Sequence, residues 1–336
     1  MLQFPQGILA DHQIDAAIAA GMVRADQPLE PLQVQPASLD LRLAGKAHRL
    51  RASFLPNGRT VEDCLTDDIV MHTLDLNDGA VLETGCVYLI PLQEYVTLPE
   101  GLTASANPKS STGRVDVFVR LIADGVSAFD KIPAGYDGPL YAEVSPRTFS
   151  VLAHKGDRLL QMRFRQGPHT PSRQLDFSVH LEPLQDGLIG YRARRHARVL
   201  DLSRIGGHST EAYWEPTYAR NGRLILDPGE FYILASKEFV TIPVDEAAEM
   251  AAIATDLGEF RAHYAGFFDP GFGCDGVEGR AVLEVRGRDV PFILEHGQPV
   301  GRLVYEPMSA LPERPYGSNG SNYQGQGLKL SKHFAG

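Results

Sequence analysis

The chain has 336 residues, 43% of them apolar, with 33 glycines, 23 prolines and a formal net charge of −10. That length supports one large or two medium domains with full cores, and the acidic balance excludes a general nucleic-acid binder while leaving room for a local cationic pocket. No apolar run approaches the roughly 20 residues that span a bilayer and the first residues carry no basic-then-apolar signal, so the expectation is no membrane partner and a cytoplasmic location.

In chain order, LADHQIDAAIAAG predicts a short helix over residues 11–20, with Ile14, Ala17 and Ile18 on one side and Gly21 as its stop. After it, SLDLRL, CVYLI, YVTL, VFVRLI and LLQMRFR alternate or run apolar between Gly, Pro and Asp breaks, which predicts a mainly β protein. The segment NPKSSTGR (107–114) places Lys109, Ser110, Ser111 and Arg114 at the mouth of such a strand. Cationic and hydroxyl donors there suit an anion such as phosphate; a plain turn before a strand explains the same residues. Neither a Walker loop nor a Rossmann glycine fingerprint is present.

An internal repeat organises the chain. LETGCVYLIPLQEYVTLP (82–99) matches LDPGEFYILASKEFVTIP (226–243) without a gap, and YAEVSPRTFSVLAHKGDRLLQMRF (141–164) matches VLEVRGRDVPFILEHGQPVGRLVY (282–305), with Glu143 on Glu284 and Gly156 on Gly297. Two copies of one β-rich domain follow, 1–166 and 167–310, then a tail, 311–336. Between the repeats, FSVHLE and VLDLS read as opening strands of the second copy, and the arginines of 192–198 read as a solvated stretch or a phosphate contact. The glycine-rich tail, taken alone, reads as disordered. Cys64, Cys86 and Cys274 are too scattered for a disulfide framework, and the His-x-Glu and Pro-Cys-x-x-Cys pair of the zinc deaminases is missing, so no zinc site is expected.

NPKSSTGR resembles the Arg-Ser-Ser-x-x-Arg motif of the dCTP deaminase family, which has a dUTPase-like β fold, with Lys109 on the first arginine and Arg114 on the last. ILADHQIDAAIAAGMV, QPASLDLRL, AGFFDPGFG, AVLEV, GQPVGRLVYEPMS and PYGSNGSNYQGQG resemble the family's other segments, so the likeness reaches both copies and the tail. It implies tandem dUTPase-like distorted β-barrel or jelly-roll domains, the long form of the family. The activity implied is hydrolytic deamination of dCTP to dUTP and ammonia; the alternatives are a dUTP diphosphatase, a bifunctional enzyme or a nucleotide sensor without catalysis.

The copies show complementary loss. The first keeps the serine pair, but its turn reads FDKIPAGYDG; the second keeps FDPGFG, but its donor region reads AAIATDLGEFRAH. By resemblance, one site then draws on both. Glu284 is the expected general base, with Glu143 as the alternative, Ser110 holds the water or amino group, and Arg114 orients the carboxylate. Lys109 and Ser111 bind phosphate, Ala265 and Val282 line the base and sugar pocket, Asp269 contacts substrate, and Tyr316, Tyr323 and Gln326 cover the triphosphate. Read for chemistry alone, both glutamates equally suit the solvent face of a strand, and Asp269 suits a turn. The family further implies Mg2+ carried by the triphosphate rather than by protein ligands, dTTP as a regulator and a homo-oligomer, a trimer being favoured.

The family's Ala-His-Arg-Ile-Asp before the Pro-Gly turn is here Ala265, Gly266, Phe267, Phe268 and Asp269, and Asn322 stands where a lysine is usual. Arg163, Arg280, Arg302 or the 192–198 run are the candidates to supply the missing phosphate charge.

Overall fold

The first helix forms over Asp11–Ala19, where Gln13 Oε1 accepts from the Ala10 N–H at 2.9 Å, and it ends where Gly21 takes a φ of 77°. It buries Ile14 and Ala17, the spacing of an amphipathic stripe. The computed structural model of the chain describes residues 2–184, 187–251, 260–262, 266–274, 276, 279–318, 323, 325 and 327–335. Beyond this helix the fold is mainly β.

The first copy folds into two curled sheets. One runs Lys131–Ile132, Leu102–Pro108, Arg158–Gln166, Ser38–Arg42, Val34–Gln35; the other runs Val117–Ala123, Asp137–Pro146, Val87–Thr97, Lys46–Leu50, Val70–Asp75. CVYLI and YVTL, two pieces in the sequence, form a single strand through Pro91. Proline is tolerated there because Lys46–Leu50 pairs with residues 87–89 and Val23–Ala25 with 94–96, so Pro91 sits between the two neighbours where no ladder donor is required. Leu39, Leu41, Ile90, Leu121, Val144, Met162 and Phe164 fill the core between the sheets, each contributing about 1.5–3 kcal/mol by burial.

The repeat predicted from sequence is a repeat of pairings. Glu143 lies opposite Leu89 and Glu284 opposite Ile233, the corresponding residues of each copy. Arg163 opposite Ser105 is matched by Val304 opposite Glu249. Even the side-chain closure of the first turn recurs: the Tyr88 hydroxyl accepts from Glu83 N at 3.0 Å, and the Tyr232 hydroxyl from Asp227 N at 3.1 Å. A sheet containing Arg173–His180, Phe231–Phe239, Pro299–Pro307 and Glu246–Ala251 surrounds the second core, with Arg280–Gly287 paired to Phe231–Phe239.

FSVHLE overlaps the strand Arg173–His180 over its first four residues, Phe177 to His180, and that strand does open the second sheet. VLDLS does not: Leu200–Asp201 pairs in parallel with Val151–Ala153 of the first copy, because Leu200 and Leu202 are buried in the first core. The arginine run is engaged in ion pairs, Arg192 and Arg194 with Glu215 and Arg195 with Glu230.

Candidate active site

The serine-arginine segment takes a shape the sequence reading did not anticipate. Leu102–Pro108 leads into a single helical turn, Ser110–Gly113, and Asp116, at a φ of 55°, redirects the chain into Val117–Ala123. Two bonds to the Leu159 carbonyl, from Lys109 N at 2.9 Å and Thr112 Oγ1 at 3.1 Å, pin the turn to the neighbouring strand. Lys109 pairs with the buried Asp40 of SLDLRL. Arg114 is 3% exposed: its Nη1 donates to the Lys329 carbonyl at 2.9 Å and its guanidinium lies 4.0 Å from the centre of the Tyr323 ring, while Nε has no hydrogen-bond partner among the described residues.

Glu284 comes to this turn from the other copy. It is 2% exposed on Arg280–Gly287, and its Oε2 has no hydrogen-bond partner among the described residues. Burial pushes its carboxyl well above the usual range; Arg114 opposes the shift and Asp116 adds to it. Asp116 is in turn bridged to Arg286 and Thr148, which ties the turn after the donors to the strand carrying the glutamate.

A cavity of about 290 Å3 opens between these groups. Lys109, Ser110, Ser111 and Arg114 line it from the first copy, Asp269, Val282 and Glu284 from the second, and Tyr316 and Tyr323 from the tail, all within one chain. Ala265 and Gln326 lie outside the described residues. Glu143 lies elsewhere. Its strand face is covered by the excursion between Lys46–Leu50 and Val70–Asp75, whose Phe54, Val61 and Leu65 pack with Leu89, Ile122 and Tyr141.

Residues 5–168 match the family model of the 2'-deoxycytidine 5'-triphosphate deaminase N-terminal domain, and residues 151–334 match that of its C-terminal domain. The chain belongs to the 2'-deoxycytidine 5'-triphosphate deaminase family. Relatives named "dCTP deaminase, dUMP-forming" include a Kocuria rhizophila protein, 39% identical over 171 residues that make up 46% of this chain and 86% of that protein. A Thermobifida fusca protein is 33% identical over 43% of this chain and 76% of its own length. For a Beutenbergia cavernae protein the identity is 38%, and the chain spans about half of it, 53%. The crystal structure of 2'-deoxycytidine 5'-triphosphate deaminase from Agrobacterium tumefaciens shares 50% identity, with a TM-score of 0.87 over 92% of this chain and all of that one.

Against the pattern of the deaminase family, Gly266 has a physical reason. At its φ of 101° an added Cβ would lie 2.7 Å from Ser110 Oγ, so a histidine there would displace the serine. Arg163, offered as a phosphate ligand, is buried instead between the copies. It donates to the carbonyls of Ala248 at 3.1 Å and Phe268 at 3.3 Å and to Asp269 Oδ1 at 3.2 Å, with its guanidinium 3.9 Å from the Phe267 ring centre. Arg302 pairs with Asp176, and Arg280 donates to the carbonyls of Ser236 and Lys237. None of these lines the cavity. Its further cations are Arg158, Arg314 and Lys332, which no motif singled out. Arg158 looks like an ordinary charge at a strand start, and Lys332 sits in a tail without periodicity.

The tail is anchored at both ends. Arg314 pairs with Asp11 and Asp15, each at 2.8 Å, and Phe334 is buried beside Tyr213 and Trp214, with ring centroids at 5.4 and 5.8 Å. His333 lies in this anchor, accepting or donating at Nδ1 to Ser331 Oγ at 2.9 Å, and its pKa is pulled down to about 4 by burial, then by Lys332 and His208. A histidine lowered in the folded state takes up its proton first in the unfolded one, so docking is fully favoured above about pH 6.5 and lost as pH falls toward 4. Limited proteolysis of the tail across this range should show cleavage rising on acidification, and Phe334→Ala should bring the same sensitivity at neutral pH.

Proposed function

We propose that the chain deaminates dCTP hydrolytically, with the site shared by the two copies of one polypeptide. One observation carries the reading: a carboxylate oxygen of Glu284 and the Nε of Arg114, both buried and without a hydrogen-bond partner among the described residues, belong to side chains that line one cavity with Ser110 and Ser111. Such a constellation can hold a water and take its proton. In this mechanism Glu284 removes a proton as the water oxygen bonds to C4 of the cytosine ring and passes it to ring N3, whose double bond to C4 opens; it then carries the remaining hydroxyl proton to the amino nitrogen, the C4–N bond to that nitrogen breaks, ammonia leaves and a C4 carbonyl remains. The raised basicity of the buried Glu284 favours accepting that proton. Arg114 orients the carboxylate, and Ser110 holds the water or the amino group. Lys109 and Ser111 take phosphate, Val282 and Ala265 flank base and sugar, Asp269 contacts the nucleotide, and Tyr316, Tyr323 and Gln326 cover it.

Among the described residues, no group of three or more His, Cys, Asp or Glu side chains could hold a metal ion. A magnesium ion arriving with the triphosphate would take its ligands from phosphate and water, and besides Glu284 the cavity offers the carboxylates of Asp40 and Asp269 to accept from its waters. The reading also includes domains at 1–166 and 167–310 with the tail at 311–336, assembly as a homo-oligomer with a trimer favoured, dTTP as regulator, and a cytoplasmic location. No described helix is long and apolar enough to cross a membrane.

The test is product analysis with purified protein, dCTP and magnesium. Ammonia with dUTP supports the reading; binding of dCTP by folded protein without product sinks it. The names of the relatives favour a second outcome, dUMP with pyrophosphate, in which the same site also hydrolyses the triphosphate. Glu143→Gln should leave turnover within about twofold of wild type, because a substitution away from the site acts only through small changes in stability; steady-state rates with dCTP check this.

A further inference from the structure

Glu284 and Arg286 stand two residues apart on Arg280–Gly287, so both side chains leave the strand on one face, the face that meets the first copy. Across from them, Arg114 and Asp116 are likewise two residues apart, on the turn that leads into Val117–Ala123. Arg286 spans the boundary between the copies. Its Nη2 donates to the Asp116 carboxylate and, at 2.7 Å, to Thr148 Oγ1, while Nη1 donates to the Gly229 carbonyl of its own copy. The Thr148 hydroxyl closes the triangle by donating to Asp116 Oδ2. Asp116 is buried here with its backbone fixed on both sides, the N–H donating to the Gly113 carbonyl at 2.8 Å and the carbonyl accepting from Arg147 N at 2.9 Å. In the repeat, Ser145 stands where the second copy has Arg286, and a serine is too short for such a bridge. The bridge therefore accompanies Glu284 and not Glu143.

Its place has two consequences for the base. It fastens the strand two residues past Glu284 to the turn two residues past Arg114, and the reaction depends on the spacing of that pair. It also sets a buried negative charge near them. Arg114 favours the ionised form of Glu284, which orients the carboxylate but weakens it as a base, and Asp116 opposes that pull. Ile233, opposite Glu284 on the neighbouring strand, adds no charge. The other charges at the cavity are Lys109, Arg158, Arg314, Lys332, Asp40 and Asp269; none of them changes when the bridge is altered.

We propose that Asp116 and Arg286 are positioning residues for the reaction: their bridge across the copies holds Glu284 at Arg114, and the negative charge of Asp116 offsets that arginine's pull on the base. The part played by Glu284 rests on the deaminase reading. The effect of the bridge on its ionisation does not.

The measurement is the pH dependence of kcat/KM for dCTP in the full chain, whose acidic limb follows ionisation of the base. Asp116→Asn keeps the shape, an acceptor for Arg286 and Thr148, and the φ of 55° that asparagine tolerates. Without the charge Glu284 ionises more readily, so the limb should move to lower pH. Arg286→Met leaves the charge of Asp116 without its counter-ion, so the limb should move to higher pH, and the loosened strand should cost about tenfold or more in kcat. The two limbs should stand about one pH unit or more apart with wild type between them, and Arg286→Lys should return toward wild type. A bridge with only a structural role would lower activity in both variants without separating the limbs, so limbs that coincide or lie in the reverse order overturn the proposal. Thermal melting identifies a variant that has not folded, and the other is then compared with wild type alone. Carbon-13 NMR of the Glu284 carboxyl, assigned with Glu284→Gln, follows the same ionisation without turnover. Separated titrations in a protein that makes no product from dCTP would sink the deaminase reading alone, and coincident titrations in a protein that turns dCTP over would sink the bridge alone.

Discussion

Glu284→Gln is expected to keep dCTP binding and to lower turnover by about 10²–10⁴-fold, the usual contribution of a positioned general base. Glutamine preserves shape and one acceptor but cannot take the proton of the attacking water. Wild-type activity should also rise with pH through the raised pKa of Glu284, because only the ionised carboxylate acts as base. The same shift has the opposite sign for stability. A carboxyl whose folded pKa lies above its unfolded value binds more protons when folded, so its contribution falls as pH rises from the unfolded value through the folded one. Glu284→Gln should therefore be less sensitive than wild type to unfolding at higher pH. Single-turnover assays with denaturation curves at several pH values measure both effects, and full turnover in this variant would remove Glu284 from the chemistry.

Arg163→Met is expected to destabilise the protein by about 3–5 kcal/mol, the range for removing one partner of a buried ion pair. Arg163 is 1% exposed and holds Asp269 together with two carbonyls of the second copy, so its loss leaves a buried carboxylate and two acceptors unmet. Burial already raises the pKa of Asp269, and Arg163 is the first group opposing that rise. Without it Asp269 stays protonated to higher pH, so the penalty should shrink on acidification. Adding Asp269→Asn should recover part of the loss. Urea denaturation of the two single variants and the double variant gives the coupling energy; additive effects would show that the pair does not join the copies.

Much of the fold was legible because its signals are local. Alternation in SLDLRL and VFVRLI dictates strands wherever they lie, and the gapless match of 82–99 with 226–243 carries the same turn, tyrosine and strand into both copies. VLDLS points to the wrong copy because alternation specifies which face is buried but not against which neighbour. The arginines show the same limit. Arg163, Arg280 and Arg302 offer the same guanidinium in sequence, and only the surroundings distinguish a buried clamp from a carbonyl donor or a surface ion pair.

The amino-acid order alone determined a duplicated β protein with its donors in one copy and its glutamate strand in the other, since these follow from periodicity and repeat register. Tertiary structure decided that Arg114 and Glu284 face one cavity within a single chain, that Glu143 lies beneath its own copy's excursion, and that Lys332 reaches the serine turn. Those outcomes depend on how two folded sheets and a docked tail meet. Contacts between segments more than a hundred residues apart leave no local pattern from which to read them.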